Sequence, residues 1–275
     1  MSNDLPTDAS RGATTIIGVP FDRNSSYMRG TAMAPPRIRE ALLGPVSNVW
    51  TETGISLLQD GVFCDAGDLD LESAEDPFGA IEEAVGDALD KGLVPVCLGG
   101  DHSITYPIIK AFRERYERLS LLQIDAHPDL YDEFDGNRMS HACPFARIME
   151  EGLVDRLVQV GIRAMTGHQS EQAAKFGVEV IEMKDHSDTL GLSFDSPVYI
   201  SCDLDGLDPA FAPGVSHPEP GGLSTRQVLS LIQTLQGQLV GADIVELNPA
   251  RDPSGITAIV AAKILKELIA KSRQA

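Results

Sequence analysis

Positive charge is scarce in this sequence: 22 lysines and arginines stand against 41 acidic residues, a formal net charge of −19 over 275 residues. A chain so negative repels phosphate backbones, which speaks against nucleic acid as a partner. Long apolar runs are missing too. None approaches the roughly 18 residues a membrane span needs, so no membrane partner is expected. The four cysteines, Cys64, Cys97, Cys143 and Cys202, form neither a C-x-x-C pair nor a framework of short spacings. They read as reduced core or near-site thiols of a cytoplasmic protein. Met1 to Arg11 is polar and has no apolar h-region, against a secretory signal peptide. Residues 1–12 are expected to be flexible. No repeat, low-complexity tract or Ser/Gly linker divides the rest, so residues 13–275 read as one domain. The acidity suits a cationic substrate and suits solubility equally well.

What is present is a recurring alternation. Apolar runs rich in β-branched residues fall at Thr14–Val19, Leu93–Leu98, Leu119–Ile124, Leu157–Gly161, Val178–Ile181, Val198–Cys202 and Val240–Val245. Ser56–Leu58 with Val62–Cys64 is a weaker candidate. Helical spacing marks Phe78–Leu89, Thr225–Leu235 and Ile256–Ile269. Ala34–Pro36 and Pro209–Gly222 read as ordered loops. Continuous apolar strands alternating with amphipathic helices predict an α/β fold with a mostly parallel sheet of about eight strands, covered on both faces.

Ligands of open α/β sheets bind beyond the carboxyl ends of the strands. Three strand ends here are unusual. One runs into Gly99-Gly100-Asp101-His102-Ser103, another into Asp125-Ala126-His127-Pro128-Asp129, and a third through Cys202 into Asp203-Leu204-Asp205-Gly206-Leu207-Asp208-Pro209. Asp-x-His-x-Asp in an extended chain turns three donors to one side. Carboxylates gathered in one cleft repel each other unless cations neutralise them. Two divalent ions would do so, with His102 and His127 adding neutral nitrogens. Carboxylate and imidazole donors without thiolate favour Mn²⁺, with Fe²⁺, Co²⁺ or Ni²⁺ as alternatives, over a structural zinc. A two-ion cluster lowers the pKa of a shared water, which predicts hydrolysis. Blander readings coexist: Asp101 as a helix cap, and the Asp203–Asp208 run as a turn with Asx caps. His141 is a candidate proton donor to a leaving amine or a loop hydrogen-bonder. Glu246, after Ile244-Val245, suits a planar guanidinium or an ion pair with Arg251. The acidic loop Tyr131-Asp132-Glu133-Phe134-Asp135-Gly136 is either a contact for a substrate amine or a solvated charge run.

Gly-Gly-Asp-His-Ser, Asp-Ala-His-Pro-Asp and Ser-Cys-Asp-Leu-Asp-Gly-Leu-Asp-Pro resemble the three signature segments of the arginase/agmatinase (ureohydrolase) superfamily. The resemblance implies a three-layer α/β/α fold with an eight-stranded parallel sheet, two Mn²⁺ per subunit (Ni²⁺ or Co²⁺ as alternatives), and cleavage of a guanidino group into urea and an amine. Carried over by position, it gives His102, Asp125, Asp129 and Asp203 to one ion and Asp125, His127, Asp203 and Asp205 to the other. His141 becomes a proton shuttle and Glu246 the guanidinium-binding carboxylate. Phe211–His217, Glu219–Ser224, Ser140–Ala142 and Phe145–Glu150 look most like plant-type arginases. That leans the substrate toward L-arginine over agmatine, with guanidinobutyrate, guanidine and formimidoylglutamate as further possibilities. His217 departs from a common threonine, and Asn137, Arg138 and Ser140 are candidates to replace the family's usual substrate α-carboxylate contacts; if they do not, agmatine or a short guanidino compound is the better substrate. A homotrimer or homohexamer is also implied. A deacetylase-like amidohydrolase is the rival; it normally binds one zinc and lacks Asp-x-His-x-Asp.

Overall fold

Along each central strand, neighbouring side chains enter two different cores. In the computed structural model, which describes residues 12–45, 47–187 and 190–274, Ile16, Val96, Leu98, Leu122, Ile200 and Cys202 point to one core. Ile17, Cys97, Leu121 and Tyr199 point to the other. This period-two division is why the strands read as unbroken apolar runs.

The eight strands are β1 (Thr14–Val19), β2 (Phe63–Asp68), β3 (Val94–Gly99), β4 (Ser120–Ile124), β5 (Arg156–Ile162), β6 (Glu179–Glu182), β7 (Val198–Asp203) and β8 (Leu239–Val245). They form one sheet, order β2-β1-β3-β8-β7-β4-β5-β6, in which every pairing is parallel. Helices α1 (Ala34–Leu43), α6 (Thr225–Thr234) and α7 (Ile256–Ser272) cover one face. Helices α2 (Pro77–Asp90), α3 (Thr105–Arg113), α4 (Pro144–Glu150) and α5 (Gly167–Phe176) cover the other. Among the described residues, no helix is long and apolar enough to cross a membrane.

Several boundaries differ from the sequence reading. Ala34–Pro36 opens α1 rather than forming a loop; Pro35 and Pro36 sit in the first turn, where a backbone N–H has no intrahelical partner to lose. The Ser56–Leu58 candidate is no strand; Ser56 makes a single bridge to Trp50, and β2 begins only at Phe63. The expected flexibility of residues 1–12 falls, but for Gly12, outside the described residues.

The strand order positions the site. β3, β8, β7 and β4 are consecutive neighbours at the centre of the sheet. His102 follows β3, Glu246 follows β8, Asp203 ends β7, and Asp125–Asp129 follows β4. Segments far apart in sequence therefore meet over one carboxyl edge.

Candidate metal centre and active site

After β3 the chain turns at Gly100, whose Cα hydrogen side is closed by the Phe21 carbonyl, so a Cβ there would lie 2.0 Å from that oxygen. The turn delivers His102 into a 3₁₀ turn capped by Asp101, whose side chain accepts from the Ser103 N–H. The capping role of Asp101 is therefore real. His102 is fully buried, and its Nδ1 lies 3.2 Å from Asp125 Oδ2, 3.0 Å from Asp129 Oδ2 and 3.1 Å from Asp203 Oδ2. Beside this group, His127 Nδ1 is 3.1 Å from Asp205 Oδ2 and 3.6 Å from Asp125 Oδ1. Two sets of donor atoms result: His102, Asp125, Asp129 and Asp203, and next to it Asp125, His127 and Asp205. Asp125 belongs to both, one oxygen toward each. Asp203 joins only the first set; its Oδ1 accepts the Asp205 N–H at 2.7 Å, capping the turn that aims Asp205.

The electrostatics ask for cations. Burial, then Asp205 and Asp125, raise Asp203 well above the usual carboxylate range. Burial and the Asp125 charge push Asp129 up to about 6. Burial opposes ionisation of Asp125 as well, but the His102 and His127 imidazoles beside it hold it well below its ordinary value. Burial opposes the charged form of His127, yet Asp205 and Asp125 push it up to about 12. Imidazolium protons thus take the place of cations among like charges. His102 Nδ1 is buried without a hydrogen-bond partner although three carboxylate oxygens surround it. That orphaned nitrogen, with an oxygen-rich and thiolate-free surrounding, fits a divalent ion.

Behind His102 lies a relay that the sequence reading missed. Its Nε2 is 2.9 Å from Ser201 Oγ, and Ser201 donates to Asp243 Oδ1 at 2.7 Å. Asp243, fully buried in β8, also accepts from Thr105 and Tyr199 at 2.9 Å each. Because the Ser201 proton goes to Asp243, its oxygen accepts from Nε2–H, which leaves Nδ1 bare toward the ion. Ser201→Ala is expected to weaken ion binding at the His102 set by about tenfold or more while sparing the His127 set, read from stepwise Mn²⁺ affinities. Equal affinities in variant and wild type would deny the relay this role. The signal was legible: a charged residue inside the apolar run Val240–Val245 has to be partnered.

Glu246 and Asp129 both have left-handed backbones, φ 66° and φ 49°. Such strain, about 1–3 kcal/mol each, gathers where geometry serves function. Glu246 Oε1 accepts from His141 Nδ1 at 2.8 Å and from the His102 N–H at 2.9 Å. Pairing with Arg251 is not what holds it. Burial opposes both charges of this pair; nevertheless Glu246 raises His141 to about 9, and His141 keeps Glu246 below its ordinary value.

These groups line a cavity of about 170 Å³ with Ser26, Tyr131, Phe134, Ala164, Gln169 and His217. Two larger surface clefts, about 380 and 510 Å³, hold no such carboxylate–imidazole cluster among the described residues. His217 stands over the site, its ring centroid 5.1 Å from that of His141. Asn137, Arg138 and Ser140 do not line the cavity. The Arg138 guanidinium is taken up by Asp132 and Glu150 at 2.7 and 2.9 Å, Asn137 Nδ2 donates to Asn24 Oδ1, and Ser140 is buried in its own turn. Asp132 of the acidic loop is likewise bound to Arg138 and Arg147. Tyr131 and Phe134, which flank it, are the residues that reach the cavity.

A parallel α/β sheet bearing two adjoining carboxylate–imidazole sets at its central carboxyl edge defines a hydrolase with a binuclear metal site. The family model described as "Arginase family" matches residues 13–270. The chain belongs to the arginase family, and it is an arginase-type ureohydrolase. It is 47% identical to the mitochondrial arginase 1 of Arabidopsis thaliana, over 95% of this chain and 82% of that protein. The human mitochondrial guanidino acid hydrolase is 38% identical, over 92% and 76%. The solved structure of arginase from Medicago truncatula superposes with a TM-score of 0.91 at 46% identity, covering 95% of this chain and 88% of that one.

These relatives overturn the expectation of a cytoplasmic protein. Plant arginases at 45–47% identity are mitochondrial, one of them also chloroplastic. Four buried free thiols fit any reducing compartment, and a missing h-region speaks only to secretion.

Proposed function

We propose that this protein hydrolyses L-arginine to L-ornithine and urea, with His102, Asp125, Asp129 and Asp203 holding one ion and Asp125, His127 and Asp205 the other. The observation that carries the reading is the pair of donor sets beside the buried Glu246–His141 pair. When bound, two divalent ions supply Lewis acidity and an activated water. Everything else is done by the chain. Both contacts to Glu246 fall on Oε1, so Oε2 is the atom offered to a guanidinium, which matches a carboxylate in plane and charge. His141 carries the proton to the leaving nitrogen as the C–N bond breaks. Tyr131, Phe134 and His217 wall a space sized for a small molecule and keep bulk water from the reacting atoms. Mn²⁺ as the ion, and a trimer or hexamer as the assembly, belong to the same proposal and rest on the oxygen-rich donor set and the family resemblance.

The test is a urea-release screen of arginine, agmatine, guanidinobutyrate and guanidine with Mn²⁺ and with Ni²⁺. Arginine is expected to be turned over fastest. Activity confined to guanidinobutyrate, a guanidino acid without the α-amino group and of the class named for the human relative, would overturn the choice of substrate.

Ion uptake is expected to release protons. With His127 held up to about 12 in the ion-free protein, its Nδ1 must lose a proton to become a ligand, so affinity rises with pH. Below about pH 6 Asp129 must also be deprotonated, and affinity falls more steeply. Calorimetric titration in two buffers of different ionisation enthalpy measures this; Mn²⁺ uptake without net proton release at pH 7.5 would contradict it.

A further inference from the structure

Asp22–Tyr27, after β1, packs as a strap against Asp101 and His141, with Ser26 lining the cavity. Asn24 fixes it: its N–H donates to Asp101 Oδ2 at 3.0 Å, its Nδ2 to Ser103 Oγ at 3.1 Å, and its carbonyl accepts the His141 N–H at 3.1 Å. Asn137 Nδ2 closes the set on Asn24 Oδ1 at 3.2 Å. Two residues on, Ser26 is exposed to solvent and lines the cavity, and its Oγ is 2.8 Å from His141 Nε2. The other face of that ring is committed. Nδ1 meets Glu246, a carboxylate that only accepts, so Nδ1 keeps its hydrogen and Nε2 is the atom free to exchange one.

We infer that the Ser26 hydroxyl is a positioning and relay residue for His141, passing protons between Nε2 and solvent. The inference rests on His141 serving as the proton carrier of the proposed reaction. In the inward direction Nε2 takes the Ser26 hydroxyl proton while the serine oxygen takes one from a buffer acid; the hydroxyl is restored and His141 leaves as imidazolium. In the outward direction, as His141 returns to neutral, Nε2–H gives its proton to the serine oxygen and the hydroxyl hydrogen passes to a buffer base. The strap's anchors hold the oxygen in place, which is why an otherwise exposed serine acts on a buried ring.

Ser26→Ala removes one surface hydroxyl and none of the anchors. In the Mn²⁺-loaded enzyme kcat on arginine is expected to fall about 10- to 100-fold with KM within about twofold, a size that fits loss of one proton-transfer step. Bound Mn²⁺ should match wild type, the lost rate should return as the concentration of a small buffer acid rises, and Ser26→Thr should restore it. A kcat within twofold of wild type would overturn the inference, as would a loss that neither Thr nor buffer recovers, or a change confined to KM. Wild-type enzyme run beside it separates the two claims. If wild type is silent on arginine but active on another guanidino compound, the substrate proposal fails and Ser26 is tested on that compound.

Discussion

Asp203→Ala is expected to lose both ions and at least about a thousandfold in kcat, the scale of the several kcal/mol that metal assistance supplies. The substitution strikes twice. It removes an oxygen 3.1 Å from His102 Nδ1, and it removes the acceptor of the Asp205 N–H that aims Asp205 toward the second ion. Misfolding would mimic this loss, but the ion-free protein distinguishes them. Asp203 there is a buried carboxylate among like charges, raised well above its ordinary range by burial and by Asp205 and Asp125. Removing it relieves repulsion, so the ion-free variant should melt no lower than ion-free wild type. Elemental analysis and thermal melting check this; two ions at wild-type rate would refute the assignment of Asp203.

Glu246→Gln is expected to separate binding of the substrate from binding of the ions. The amide can still accept from His141 Nδ1 and the His102 N–H, so the donor sets stay in place with two ions per chain. What goes is the charge that meets a guanidinium in a buried site. Loss of one partner of such a pair costs about 3–5 kcal/mol, or about two to four orders of magnitude in kcat/KM. A second sign accompanies it. Burial lowers the His141 pKa and the Glu246 charge is what holds it up to about 9, so the basic limb of the pH–rate profile should move to lower pH in the variant. Unchanged kcat/KM with both ions present would remove Glu246 from substrate binding.

The sheet and its chemistry were legible for a shared physical reason. Parallel strands covered on both faces must be apolar throughout, so charged residues at their carboxyl ends stand out, as Asp125, Asp129 and Asp203 do after β4 and β7. α1, α4 and α5 carry no helical signal in the sequence reading, and α3 enters it only through Asp101 as the cap of a helix. Each is short, and α1 and α4 open on prolines that read as loop residues without the tertiary packing that completes the turn. The cavity walls were less legible than the ion ligands. Asn137, Arg138 and Ser140 looked suited to substrate by polarity alone, but Arg138 is consumed by Asp132 and Glu150. Ser26 sits in a polar loop about a hundred residues from His141, and only the packing of the strap against Asp101 brings the two together. Gln123, which donates to Asp125 Oδ2 at 2.7 Å, gave a usable sign, a polar residue inside an apolar strand.

Stepwise titration of ion-free protein with Mn²⁺, with urea release from arginine followed in the same samples, bears most directly on the two donor sets. Two ions per chain are expected, with urea appearing as the second place fills. Uptake of one ion or none, or urea released at full rate in excess chelator, would contradict the pairing of those side chains with this reaction.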